Sequence, residues 1–181
     1  MTAPAGELED IPEGFLREVV AALLQAGRSF TVDLEAETLD VDRRDDPAGA
    51  PVLGVVRPVA RGVTFYAVHP RAVPAQRFDA AVELAVRATN DQFDTTVELD
   101  PASASVSVRA SVTVEGVDLS ADVLGTLLDG ALERVEETAA RYRTGIDAVL
   151  DGTATPAQVC ADVRASAIED LERVVRDLDG A

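Results

Sequence analysis

The spacing of hydrophobic residues predicts a helix near the start of the chain, followed by strands. Phe15, Val19 and Leu23 recur every four residues, and this period predicts an amphipathic helix over 12–26. Alternation of apolar and polar residues then predicts three strands, at 29–34, 52–59 and 62–68. A shorter alternation, Leu39 and Val41, leads into a charged loop. The first part of the chain is therefore expected to build most of a sheet.

The middle of the chain repeats the same two periods. A second helix is predicted over 74–90, and two strands follow it at 95–99 and 105–115. In the later strand the apolar residues occupy every second position: Val106, Val108, Ala110, Val112 and Val114. Such strict alternation predicts an antiparallel hairpin with one buried face and one polar face.

Two long helices are predicted at the end of the chain. The first runs from Ser120, a good capping residue, to Gly152. It contains three glycines, each of which weakens a helix by up to about 1 kcal/mol relative to alanine. The second runs from Thr155 to Leu178, and its buried side is predicted to consist of Val159, Val163, Ala167, Leu171, Val174 and Leu178.

The order of these elements predicts the fold class. The order is helix-β-β-β-helix-β-β-helix-helix, without the βαβ alternation of a parallel sheet. We therefore expect an α+β protein with an antiparallel sheet. The expected organisation is a domain over 1–152 and a C-terminal helix over 153–181 that packs on that domain or on a partner.

Charge excludes several classes of function. The chain has 33 acidic residues and 16 basic ones, a formal net charge of −17, and every basic residue is arginine. Binding to nucleic acid or to an anionic membrane needs clustered cations, so we expect neither. The negative charge fits a salt-rich cytoplasm, a solubilising surface around apolar binding patches, or mimicry of DNA.

The sequence also points to a compartment. The first residues show neither the basic start nor the apolar run of a signal peptide, and no apolar run approaches the roughly 20 residues of a membrane span. A single cysteine, Cys160, cannot form an intrachain disulfide. We therefore expect a cytoplasmic protein.

Candidate catalytic residues are few. His69 is the only histidine, and it lies at a strand end before a proline, which favours a structural residue near the surface over a general base. Cys160 lies between apolar neighbours on the last helix, where a small packing residue is the simpler interpretation. We expect no enzyme activity and no cofactor.

The loop over 40–46 is the one candidate metal site. Its four aspartates, Asp40, Asp42, Asp45 and Asp46, resemble the start of a calcium loop, but Arg44 occupies the third ligand position and the sixth lacks glycine. We therefore expect no metal site and a solvated, self-paired loop. A metal-dependent hydrolase that uses this loop remains the less favoured alternative.

A succession of short motifs over about 74–160 carries a resemblance. In order, these are a helix ending in Asn90, a strand closing on Leu99-Asp100, a strand containing Arg109, a turn at Gly116, and a long helix followed by Gly152 and Thr155-Pro156. This succession resembles the YbjN-like family, whose members share the type III secretion chaperone-like fold. The resemblance implies a non-enzymatic, chaperone-like or regulatory protein.

The resemblance also implies a protein partner and a homodimer. Candidate contact residues are the apolar positions Val82, Val86, Val163, Leu171 and Val174 on the second and last helices. The competing interpretation for each of them, and the more frequent one, is a place in the chain's own core. A structural oligomerisation module without a client is the alternative function.

Overall fold

The computed structural model describes residues 2–4, 11–44, 46 and 49–179. Within these residues lie four α-helices and seven strands. The helices are α1 (Phe15–Gln25), α2 (Phe78–Asn90), α3 (Ala121–Asp151) and α4 (Pro156–Asp179). The strands are β1 (Thr2–Pro4), β2 (Phe30–Asp33), β3 (Thr38–Val41), β4 (Val52–Arg57), β5 (Gly62–Val68), β6 (Thr96–Asp100) and β7 (Ser105–Thr113).

The strands form one antiparallel sheet in the order β1-β2-β3-β4-β5-β7-β6. The α+β class is therefore confirmed. The strand count differs from the sequence prediction, because the short alternation Leu39 and Val41 forms β3, which pairs with both β2 and β4. Four strands, rather than three, thus separate α1 from α2, and β1 precedes α1.

One face of the sheet carries the core. The register aligns Phe30 with Val41, Val41 with Val52, and Val97 with Val108, so their side chains share a face. Helices pack over this face in two neighbouring clusters. The first cluster joins α1, β2 to β5, β7 and the start of α3, and the second joins α2, β6, β7, the end of α3 and the start of α4.

The long helix α3 connects the two clusters. Leu128 and Val135 lie in the first, and Tyr142 and Val149 lie in the second. Ser120 caps its start by accepting a hydrogen bond from Val123 N. Within the described residues, no helix is both long and apolar enough to cross a membrane.

Candidate functional site

The start of α4 is fixed to the body of the protein. Thr155 and Gln158 form a capping box, in which Gln158 Oε1 accepts from Thr155 N at 2.9 Å and Thr155 Oγ1 accepts from Gln158 N at 3.3 Å. Val159 and Cys160 are buried in the second core cluster. Arg164 pairs with Asp91 at the end of α2, with Nε 3.4 Å from Oδ2. The direction in which α4 leaves the body is therefore set by its first two turns.

The rest of α4 extends into solvent. From Arg164 to Leu178 every side chain is exposed except that of Ala167, which is half-buried. At about 1.5 Å per residue this stretch is roughly 20 Å long. It carries five large apolar residues, which we call the α4 stripe: Ile168 (58% exposed), Leu171 (65%), Val174 (55%), Val175 (49%) and Leu178 (73%).

The α4 stripe has the spacing of a helix contact surface. Ile168, Leu171, Val175 and Leu178 follow one another in steps of three, four and three residues. These steps keep four side chains on one side of a helix, and Val174 widens the same side. Scattered exposed apolar residues are normal, whereas these five form one continuous row along the helix.

Some charged residues beside the stripe form ion pairs or hydrogen bonds within the helix. Arg173 Nη1 lies 3.0 Å from Asp170 Oδ1, and Arg176 Nε donates to the backbone oxygen of Glu172 at 3.2 Å. These contacts hold the charged groups on the sides of α4 that do not carry the stripe. The stripe itself therefore remains apolar.

The predicted contact residues fall into three places. Leu171 and Val174 lie in the α4 stripe. With Leu178 they are exposed, so the prediction that these three residues belong to the buried side of the last helix is wrong within this chain. Val163 is partly buried against the second core cluster, as the core interpretation expects. Val82 (41% exposed) and Val86 (58%) lie one turn apart on α2, on a different helix from the stripe.

Three stripe residues were not among the predicted contact residues. Ile168, Val175 and Leu178 are exposed beside Leu171 and Val174. The signal that identifies them is the three-four-three spacing, which differs from the four-residue steps that mark the buried start of α4 at Val159 and Val163.

His69 is buried rather than near the surface. Its side chain is 5% exposed, and Nδ1 accepts a hydrogen bond from Arg71 N at 3.3 Å. Its Nε2 lies 3.6 Å from Asp147 Oδ1, a carboxylate that Arg71 already holds at 2.8 Å. A cavity of about 100 Å³ lies beside His69, bordered by β5, β7 and α3. His69 is thus a buried residue at the end of β5 that borders this cavity.

Cys160 is fully buried, and burial raises the pKa of its thiol. A thiol with a raised pKa is a poor nucleophile at neutral pH, because little thiolate is present. The packing interpretation of Cys160 is therefore supported by its surroundings.

The loop after β3 is tied to α3 through Arg44 and Asp46. Arg44 Nη1 lies 3.1 Å from both Asp129 Oδ2 and Glu133 Oε1 on α3, and Asp46 Oδ2 lies 3.7 Å from Arg143 Nη1. The prediction of a self-paired loop is wrong for Arg44. Asp45 lies outside the described residues, and among those described no three acidic, histidine or cysteine side chains gather as metal ligands.

A buried ion-pair cluster lies between the end of α1 and α3. Arg28 has a side chain only 1% exposed; its Nε donates to Asp129 Oδ1 at 2.6 Å and its Nη1 to Glu136 Oε1 at 2.8 Å. Burial opposes the charge, but the hydrogen bonds to both carboxylates outweigh it and raise the Arg28 pKa above its ordinary value. Both carboxylates are engaged by arginine, so the cluster is structural.

Comparisons with known proteins support the fold. No protein-family model matches the chain, and no curated protein matches it in sequence. One similar solved structure is described as "Crystal structure of YbjN, a putative transcription regulator from E. coli"; the TM-score is 0.57 at 14% identity, over 74% of this chain and 93% of that chain. The chain therefore has the YbjN-like fold that the motifs over 74–160 predicted. A likeness at this identity shows the fold alone.

Proposed function

We propose that this chain is a non-enzymatic protein-binding module and that the α4 stripe is its docking surface. One observation carries the proposal: five large apolar side chains lie in a row on a stretch of helix whose side chains are exposed to solvent, apart from the half-buried Ala167. In water such a row is unfavourable unless another surface covers it.

The candidate catalytic residues elsewhere in the described part of the chain do not favour an enzyme over a binding protein. His69 and Cys160 are buried, and the described aspartates of the charged loop do not form a group that could hold a metal ion. The similar solved structure is described as a regulator and not as an enzyme. We therefore favour a regulatory or chaperone-like role, in which the chain acts by holding another polypeptide.

The charge and the cysteine fit this proposal. A net charge of −17 keeps a protein with an exposed apolar row soluble. The one cysteine is free and buried, which suits a reducing compartment, so we place the function in the cytoplasm.

The test compares two matched double variants. Leu171→Glu/Val174→Glu introduces two charges into the α4 stripe, and Val82→Glu/Val86→Glu introduces the same charges at exposed apolar positions of α2. Tagged chains are incubated with native lysate at matched salt, and retained proteins are identified by mass spectrometry. We expect a stoichiometric partner that the unchanged chain and the α2 variant retain and the stripe variant loses.

The same experiment has two contrary outcomes. If the partner is lost only in the α2 variant, the docking surface lies on α2 and not on the α4 stripe. If no polypeptide, including an untagged second copy of the chain, depends on the stripe, the proposed function is wrong.

A further inference from the structure

The cavity beside His69 lies where the two core clusters meet. Of the residues that border it, Ala67 belongs to the first cluster, Val108 and Ile146 belong to the second, and Ala139 packs against both. Protein interiors contain few voids larger than a water molecule. A cavity of about 100 Å³ at the junction of two cores is therefore large enough to hold a small molecule.

His69 brings an unpartnered polar atom to this cavity. Its ring is buried, and no group among the described residues forms a hydrogen bond with Nε2. The backbone of Arg71 contacts Nδ1, through N at 3.3 Å and through O at 3.4 Å. The contact from the N–H makes Nδ1 an acceptor, so the neutral ring carries its proton on Nε2. Nε2 is thus a buried donor, and a ligand that accepts its hydrogen bond would be favoured.

The surroundings of Nε2 agree with this assignment. The nearest charged group is Asp147 Oδ1 on α3, at 3.6 Å, which is too long for a hydrogen bond. A proton on Nε2 is attracted to this carboxylate, whereas a lone pair there would be repelled. Arg71 already holds Asp147 at 2.8 Å. Nε2 therefore lies on the side of the ring toward α3, and α3 forms one wall of the cavity.

The charged residues that border the cavity are mainly cationic. They are Arg143 on α3, Arg43 on the loop after β3, and one carboxylate, Asp46. Arg143 Nη1 lies 3.7 Å from Asp46 Oδ2, beyond the about 2.7–2.9 Å of a charge-assisted hydrogen bond. Guanidinium groups donate hydrogen bonds and accept none. The cavity thus combines donors with local positive charge, although the chain as a whole is acidic.

We propose that this cavity binds a small monocarboxylate with a short aliphatic chain. The donors and the positive charge select an anion over a cation. The apolar wall of Ala67, Val108 and Ile146 selects a ligand with a hydrocarbon part over an inorganic anion. Benzene, with six carbons, occupies a cavity of about 150 Å³, so a cavity of about 100 Å³ takes about four to six non-hydrogen atoms. Acetate, propionate and butyrate have this size.

Exposure of the bordering residues determines how the ligand enters. Arg143 and Val68 are exposed and mark the opening, whereas His69, Val108 and Ile146 are buried. The carboxylate therefore binds at Arg143 and at His69 Nε2, and the chain turns toward the apolar wall. This site shares no residue with the α4 stripe, so it does not depend on the proposed function.

The test uses His69 as the reporter. It is the one histidine of the chain, so its imidazole signals in NMR spectra are identified without any substitution. The chain is titrated with acetate, propionate, butyrate and hexanoate at constant pH and ionic strength, with chloride as the reference anion. We expect the Nε2 and Hε1 signals to shift and to saturate with propionate and butyrate, at roughly millimolar dissociation constants. Hexanoate, which is too long, and butyramide, which is neutral, should bind more weakly.

Three variants place the binding at this cavity. Arg143→Gln should raise the dissociation constant for butyrate about three- to tenfold, because a half-exposed charged donor is lost. Arg141→Gln removes an exposed arginine of the same helix that borders a different pocket, so it should change the constant less than about twofold. Ala139→Leu places a larger side chain at the cavity and should abolish binding. Circular dichroism of each variant checks that the fold is retained.

Four results would overturn the inference. If the His69 signals do not respond to any of the carboxylates, the cavity binds none of them. A response equal to that of chloride is an effect of salt alone. Equal affinities for butyrate and butyramide show that charge plays no part, and equal effects of Arg143→Gln and Arg141→Gln place the binding elsewhere.

Discussion

Arg28 brings a charge into the interior between α1 and α3, where Asp129 and Glu136 satisfy it. Removing one partner of a buried ion pair leaves the other charge uncompensated, and this is more destabilising than losing an exposed pair. Sequence reasoning did not single out Arg28, because a lone arginine after a helix is usually exposed. Its burial depends on the two carboxylates that lie about one hundred residues later in the chain.

We predict that Glu136→Ala lowers the free energy of unfolding by about 1–3 kcal/mol, because Arg28 Nη1 loses a buried charged hydrogen-bond partner while Asp129 still pairs with Nε. Glu133→Ala, which removes an exposed partner of Arg44, should change it by less than about 0.5 kcal/mol. Urea unfolding followed by circular dichroism measures both. Equal effects of the two substitutions would show that the Arg28 cluster contributes no more to the free energy of unfolding than an exposed ion pair does.

Tyr142 provides a spectroscopic test of the second core cluster. Burial raises the Tyr142 pKa to about 12, the neighbouring Cys160 adds to the shift, and a hydrogen bond from Gln92 opposes it. In a Tyr66→Phe chain, Tyr142 is the remaining tyrosine, so absorbance near 295 nm follows its ionisation. We expect a midpoint near pH 12 while the chain stays folded.

The sign of the effect on stability follows from the direction of that shift. The folded-state pKa lies above the ordinary value of about 10, so folding favours the neutral phenol. The contribution is complete below about pH 10 and is lost as the pH rises through the folded-state value. Arginine keeps its charge in this range, so the ion pairs do not titrate. A midpoint near pH 10 in a folded chain would contradict the burial of Tyr142.

At the scale of elements, α3 is continuous over 31 residues although it contains Gly125, Gly130 and Gly145. Packing explains two of these glycines. A Cβ at Gly125 would lie 2.7 Å from the backbone oxygen of Ala22 on α1, and a Cβ at Gly145 would collide with Val159 on α4. These glycines let α3 approach its two neighbours closely. Gly130 meets only the far end of the Arg134 side chain.

Gly125→Ala and Gly130→Ala are therefore expected to act in opposite directions. Gly125→Ala forces two helix backbones apart and should cost about 1–3 kcal/mol of stability. Gly130→Ala needs only a flexible side chain to move, and it should stabilise by up to about 1 kcal/mol through helix propensity. Thermal and urea unfolding of both variants measure the difference. A stabilising Gly125→Ala would mean that α1 and α3 are less closely packed than described.

Much of the element order was predictable, because hydrophobic period is a local property. The four helices and the strands around Phe30, Phe65 and Val108 follow from their own residues. The strand at Leu39 and Val41 is too short to be decided by its own alternation. It forms because β2 and β4 lie on both sides and supply its hydrogen bonds.

At the scale of the whole molecule, the net charge of −17 is the dominant electrostatic property. Ion pairs such as Arg71 with Asp151, at 2.6 Å, and Arg109 with Glu98, at 2.7 Å, place arginines beside carboxylates across the surface. Many carboxylates remain in excess and repel one another. Salt screens this repulsion, because the screening length falls from about 10 Å at 0.1 M to about 3 Å at 1 M.

We predict that the midpoint of thermal unfolding rises clearly between low and molar sodium chloride. Scanning calorimetry of the unchanged chain and of Leu171→Glu/Val174→Glu separates screening within one chain from association through the α4 stripe, which would also raise apparent stability. A rise in both proteins supports adaptation to salt. If the midpoint of thermal unfolding does not change with salt in either protein, adaptation to salt does not explain the net charge.

The sequence by itself determined the helical and strand periods, the antiparallel α+β class and the acidic surface, because each depends on neighbouring residues or on composition. Only the tertiary structure decided which apolar faces are covered. Val163 and Leu171 lie on the same helix, yet one is partly buried and the other is 65% exposed. The difference arises because the packing of α4 against the second core cluster reaches Val163 and does not include Leu171, and how far one helix packs along its neighbours is a non-local property of the fold.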